Sequence, residues 1–231
     1  MTAHALLSSI FTSLARSPRR WSLTRTLQSD NPLDIHGELH GTATFTLLPP
    51  TEDTVSNAHN ALTNKQPTEQ VQMLYHEEGV MPTTAGLGPM AGLRWTKRYI
   101  WRQSEGRISV WFVKVQEKRK EANKDKSADT DVEAEAEAEA DYLFHDFEVN
   151  TDANLDSSLF VTPPVPPPTL EQTTVITARG NHLCINDMYR TAYAFRVRPE
   201  TGEVVSWASR HVVKGPKKNQ DIVNVYTLLA G

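Results

Sequence analysis

The chain reads as mostly β: a single antiparallel up-and-down β-barrel of about nine or ten strands, preceded by one short helix. Three features predict it. Apolar and polar residues alternate with period two through most of the chain, as strands with one buried face require. Turn signals such as Glu105-Gly106 and Pro199-Glu200-Thr201-Gly202 separate these runs at hairpin spacing. No strand is followed by the long helical pattern that a parallel βαβ unit needs.

The helix spans Ala5 to Ala15, where Leu6, Leu7, Ile10, Phe11 and Leu14 recur at helical spacing and form one apolar stripe. Ser17-Pro18 stops it. The stripe runs straight into a strand, which favours a plug for one end of the barrel. Arg16, Arg19, Arg20 and Arg25, with no acid before Asp30, offer the other reading, a mitochondrial targeting peptide.

From Trp21 the period becomes two. Trp21, Leu23, Arg25 and Leu27 share a face, so an arginine points inward and needs a partner. Leu39, Gly41, Ala43, Phe45 and Leu47 follow, with Gly41 as a place for a bend. Residues 49–69 are polar and rich in breakers, hence a loop. Val71, Met73, Tyr75 and Glu77 then share a face, and Glu77 is the natural counter-ion for Arg25. Trp95, Lys97, Tyr99 and Trp101 line the next strand, and Ile108, Val110 and Phe112 the one after. Residues 116–141 hold ten acids against five bases and no apolar face, the composition of a solvated insertion. Leu143, His145, Phe147 and Val149 resume the strand pattern. Residues 150–170, with the run Pro163 to Pro168, read as an extended loop. Thr174, Ile176, Ala178, His182 and Cys184 lead into Tyr189, Tyr193, Phe195 and Val197, then Val205, Trp207, His211 and Val213. Ile222 to Leu229 closes the chain as a short strand apolar on both sides.

At 231 residues with 39% hydrophobic content, the chain suits one domain, 1–231, carrying these three insertions. Net charge is −4, and outside 116–141 the chain has 19 bases against 18 acids. A body so near neutral lacks the clustered basic face of a nucleic-acid binder. No apolar run is long enough to span a bilayer. A single cysteine, Cys184, excludes an internal disulfide and fits a reducing, cytoplasmic setting. The acidic and Pro-rich loops offer themselves to a protein partner, which is the interaction-scaffold reading of the chain.

By parity Arg25, Tyr75, Glu77, Lys97, Tyr99, His145, His182, Tyr193 and His211 all face inward, and Trp101, Tyr189 and Trp207 supply aromatic wall. Buried charges need partners, so Arg25, Lys97 and Glu77 are expected to share hydrogen bonds. One reading is a site for a small, partly apolar or aromatic ligand with an anionic or carbonyl group, anchored by Arg25 and Lys97. The other is a structural network that sets register. An enzyme of isomerase or hydrolase type would use His145 or His182 as acid or base, or Cys184 beside His182 as nucleophile. His182-x-Cys184-x-x-Asp187 offers ligand types without the paired spacing of a metal site, and no cofactor motif is present.

Trp21 after a short helix, Tyr75-x-Glu77, Lys97-x-Tyr99-x-Trp101, Phe144-His145, His182-x-Cys184-x-x-Asp187-x-Tyr189, Trp207 and Gly215-Pro216-Lys217-Lys218 together resemble an uncharacterised family, domain of unknown function 6314. It is similar in architecture to lipocalin-like (calycin) barrels. The resemblance spans Ala5 to Leu229 apart from the three insertions and implies a fold rather than an activity. It also implies a structural cap, in which a cation from the end of the sheet, Lys217 or Lys218, covers Trp21. Most calycins carry glycine two residues before that tryptophan, where this chain has Arg19.

Overall fold

The computed structural model describes residues 3–16, 19–49, 71–82, 91–104, 106–115, 138–149, 159–216 and 218–229. Most of the insertions 49–69 and 116–141, residues 150–158, Glu105 and Lys217 lie outside the described residues. A helix, α1 (Ala3–Leu14), precedes ten strands. These are β1 (Arg20–Ser29), β2 (Gly37–Leu47), β3 (Val71–Val80), β4 (Arg94–Ser104) and β5 (Arg107–Val113). The rest are β6 (Ala140–Val149), β7 (Thr174–Cys184), β8 (Asp187–Val197), β9 (Val204–Lys214) and β10 (Asn219–Leu228). Each strand pairs antiparallel with its neighbour in sequence, and β1 closes against β10. The result is a closed up-and-down barrel without free edges.

The helix runs from Ala3 to Leu14 rather than Ala5 to Ala15, and two strand boundaries also move. β6 begins at Ala140, inside the segment read as insertion, and β10 begins at Asn219 rather than Ile222. β10 is also not apolar throughout, since its buried face carries Asn224 and Tyr226.

α1 plugs one end. Leu7, Ile10, Phe11 and Leu14 have no exposed surface and join Trp21, Phe45, Trp101, Phe195 and Val204 in the core. Each such side chain contributes about 1.5–3 kcal/mol by leaving water. Polar contacts fix the end of the helix to the β8–β9 turn. The Val204 amide donates to Ser13 Oγ at 2.8 Å, Arg19 donates to the Val204 carbonyl at 2.9 Å, and Arg19 pairs with Glu203. In that turn Gly202 adopts φ +68°, and a Cβ there would lie 2.3 Å from Ser9 Oγ. Only glycine meets both demands.

Lys218 does not form the expected cap over Trp21. Trp21 pairs with Leu228 at the plugged end, while Ser29 pairs with Gln220 at the other. That separation is roughly 26 Å of strand. Lys218, just before β10, therefore sits at the far mouth, 3.1 Å from Asp187 Oδ2 and 3.3 Å from the Tyr189 hydroxyl. Trp21 instead packs edge-on against Trp207 at 6.4 Å. Lys217 is outside the described residues.

The Pro-rich segment is fastened to the barrel. Arg196 donates to the carbonyls of Pro167 (2.8 Å) and Pro166 (3.1 Å), and Ser206 Oγ donates to Pro167 at 2.6 Å. Residues 166 and 167 thus act as a strap on the outer face of β8 and β9. Proline carbonyls are good partners there, because the segment's extended backbone makes no internal hydrogen bonds.

Candidate functional site

A cavity of about 200 Å³ occupies the half of the barrel away from α1. Ten residues anticipated as ligand-lining border it. β1 contributes Arg25, β3 Tyr75 and Glu77, and β4 Lys97, Tyr99 and Trp101. β6 adds His145, β8 adds Tyr189 and Tyr193, and β9 adds Trp207. Period-two alternation in each strand is what sends these side chains inward.

Two of the candidates lie elsewhere. His182 is half-buried with its ring 6.5 Å from Tyr189 and does not border the cavity. Cys184 is exposed. The β6–β7 ladder is limited to Glu148 with Arg179 and Val149 with Ala178, and both residues lie beyond it, on the part of β7 that is paired with β8 out to Cys184 and Asp187. Cys184 beside His182 is thus not an interior nucleophile, and His145 alone of the three catalytic candidates reaches the cavity.

Arg25 and Glu77 form the charged centre. Arg25 Nη2 donates to Glu77 Oε2 at 2.9 Å, and Nη1 lies 2.8 Å from Oε1. Arg25 Nε donates to Asn224 Oδ1 at 2.6 Å. Tyr226 and Tyr75 join their hydroxyls at 2.9 Å, and Tyr75 donates onward to Glu77. Burial alone would lower the guanidinium's pKa, but the facing carboxylate more than reverses this and holds Arg25 charged. Burial, reinforced by Glu77, pushes the Tyr75 and Tyr226 phenols up and Tyr99 to about 12, so all three keep their protons. Behind Arg25 stands Trp95, 5.5 Å from the guanidinium carbon. A Cβ at Gly79 would fall 2.5 Å from that indole, so glycine there makes room for the ring under the charge.

Lys97 differs from Arg25. It reaches the mouth with part of its surface in water, and among the described residues it has no hydrogen bond or ion pair. Burial of its stem and the nearby Arg25 charge lower its pKa, with Glu77 opposing. Solvent at the mouth weakens that effect, and the amine remains a cation. With Arg25 neutralised by Glu77, Lys97 leaves the cavity with one uncompensated positive charge.

The histidines complete the wall. His145 Nε2 lies 2.7 Å from the Tyr193 hydroxyl, and His211 Nε2 lies 3.2 Å from Ser209 Oγ. Both Nδ1 atoms are buried without a partner. Burial comes first in keeping each ring neutral: His145 falls well below its ordinary value, and His211 falls to about 3 with help from Arg25 and Lys97.

Sequence reasoning did not assign Asn224, Tyr226, Ser209 or Phe144 to the site. Asn224 and Tyr226 were hidden because β10 looked apolar on both faces. Phe144 breaks alternation for a visible reason: Val110 pairs with His145 but Trp111 pairs with Leu143. Phe144 is the extra residue of a bulge, so it and His145 both face the cavity, their rings 4.6 Å apart.

Fold and site together define a class: a closed ten-stranded antiparallel barrel around an aromatic-walled cavity with polar tips. The chain belongs to the Family of unknown function (DUF6314), whose model matches residues 19–228. That span starts after α1. No curated protein and no solved structure matches the chain. Among the described residues no cluster of three or more His, Cys, Asp or Glu side chains is placed to hold a metal ion, and no helix is long and apolar enough to cross a membrane.

Proposed function

We propose that this barrel binds a small, partly apolar ligand carrying an anionic or carbonyl oxygen, in the manner of lipocalin-like carriers. The uncompensated Lys97 cation in an otherwise charge-balanced cavity carries this reading. Lys97 is exposed at the mouth, where its ammonium stays hydrated, so leaving it unpaired costs the fold little and keeps it free to meet an anionic group. The aromatic wall of Tyr99, Trp101 and Trp207 adds apolar contact.

Arg25 has a different role from the one expected of an anchor. Its three donor groups are directed at Glu77 and Asn224, which makes it the post on which the polar wall is built.

Native mass spectrometry of the purified chain tests the proposal by seeking a co-purifying small molecule. Lys97→Met is expected to lose that adduct while keeping its fold. Retention of the adduct at full intensity would exclude Lys97 as its anchor.

A further inference from the structure

A polar side chain that lines a cavity either serves the fold or is left for an occupant, and its hydrogen bonds tell which. The cluster around Arg25 is bonded within itself, and His145 with Tyr193 and Ser209 with His211 are joined pairs. At the mouth Lys218 holds Tyr189, and Gln220 holds Asp34. Glu77 Oε1 and the two histidine Nδ1 atoms lack a hydrogen-bond partner but are buried, with no surface open to an occupant, and Glu77 Oε1 lies 2.8 Å from Arg25 Nη1. Two charged or hydroxyl-bearing side chains remain. Lys97 is exposed and Tyr99 half-buried, both border the cavity, and among the described residues neither makes a hydrogen bond.

Both stand on β4, two residues apart on one face, with Trp101 two residues further along the same face. β4 starts at the mouth, so amine, phenol and indole follow one another in depth over roughly 13 Å of strand. Trp101 lies deepest, edge-on to Phe147 at 5.5 Å and to Trp207 at 6.1 Å. Tyr99 is flanked by Phe144, stacked at 5.5 Å, and Phe112 at 5.6 Å, which position its ring while leaving the hydroxyl unbonded. Burial and the Glu77 carboxylate push that phenol up to about 12, so it keeps its proton and donates at neutral pH. Lys97 can only donate. Glu77, opposite Lys97 in the β3–β4 register, is already neutralised by Arg25. Two free donors, one of them charged, suit an anionic acceptor. A protein cavity of about 150 Å³ holds benzene, so about 200 Å³ suits one ring with a short substituent.

We infer that Lys97 and Tyr99 together hold the carboxylate of a single-ring acid, whose ring enters first and rests against Trp101 while the carboxylate stays at the mouth. This rests on the ligand-binding reading above, and adds to it a second anchor, the direction of entry and the class of ligand.

The test titrates the full chain by calorimetry at neutral pH with 3-phenylpropanoate, its amide, 3-phenylpropylamine and toluene. The carboxylate is expected to bind most tightly, the amide about tenfold more weakly and the amine weakest of the three. Tyr99→Phe keeps the ring and removes the hydroxyl. It is expected to weaken 3-phenylpropanoate about tenfold, the worth of one hydrogen bond to a charged acceptor, and to leave both toluene binding and the thermal midpoint unchanged. Lys97→Met is expected to bring the carboxylate down to the affinity of the amide. Tyr99→Phe binding 3-phenylpropanoate as tightly as the parent chain overturns the pair and leaves Lys97 as sole anchor. A lowered thermal midpoint in that variant also overturns it, because the hydroxyl then belongs to the framework. So does the amide or the amine binding as tightly as the carboxylate. Toluene binding without 3-phenylpropanoate binding overturns the carboxylate site while the cavity still takes a ring. If none of the four probes binds, the ligand-binding reading falls along with the assignment.

Discussion

The two ends of the barrel use the same alternation for opposite purposes. At the plugged end, inward positions hold Trp21, Phe45, Phe195 and Val204, and α1 fills the remaining space with four fully buried apolar side chains. At the mouth, inward positions hold Arg25, Glu77, Lys97, His145 and His211, and the space stays open. One end is organised for packing density, where each lost methylene is felt. The other has fixed hydrogen bonds around a void. The polar half is itself divided, since Arg25, Glu77, Tyr75, Tyr226 and Asn224 bond to one another while Lys97 and the two histidine Nδ1 atoms have no hydrogen-bond partner among the described residues.

Removing residues 1–14 is the harshest test of this contrast. Four buried side chains at about 1.5–3 kcal/mol each amount to roughly 6–12 kcal/mol, comparable with the whole stability of a typical domain. The truncated chain is expected to lose its cooperative unfolding transition in urea. A truncated chain that still unfolds sharply would show that the plug is an accessory.

Within the polar half, Glu77→Ala leaves Arg25 buried and unpaired. The expected loss is about 3–5 kcal/mol by denaturant unfolding. This would sharpen the division just drawn, because Glu77 then behaves as framework even though it borders the cavity. A loss below about 1 kcal/mol would mean that water reaches Arg25 and the two polar groups are not distinct.

Acid should weaken the fold through the neutral histidines. Their folded pKa values are depressed, so below about pH 6.5 the unfolded chain takes up protons that the native chain refuses. Stability is therefore complete above that value and falls as pH drops toward about 3, where His211 itself charges. At pH 4.5 the share of the loss due to His211 is about 2–3 kcal/mol. His211→Phe is expected to flatten the profile of thermal midpoint against pH by about half, and an unchanged profile would place the acid response elsewhere.

Lys97→Met is expected to have the smallest effect on stability, under about 1 kcal/mol, since the side chain has no bond to lose. A loss of 2 kcal/mol or more, of the size reserved for framework residues, would erase the distinction between Lys97 and Arg25.

Much of this was legible from one dimension. A side-chain period of two, interrupted by turn residues, already assigns each position to the inside or outside of a closed sheet, and it placed Arg25 on the same side as Glu77. The apolar stripe of Leu7, Ile10, Phe11 and Leu14 likewise announces a helix that must be buried. What alternation cannot convey is position along the barrel axis. The resemblance to calycins matched Lys218 with Trp21 as a cap, yet the β1–β10 register puts them at opposite ends. His182 has the right parity, but it lies beyond the short β6–β7 ladder and does not border the cavity. Phe144 has the wrong parity, and a bulge rotates it inward. The strap over β8 and β9 was equally invisible, because it depends on which carbonyls Arg196 and Ser206 meet across the fold. Parity is a local property of the backbone and is written in each strand separately. Register, bulges and the hydrogen bonds that join one strand's side chains to another's arise only when distant strands pair, so the tertiary structure alone decides them.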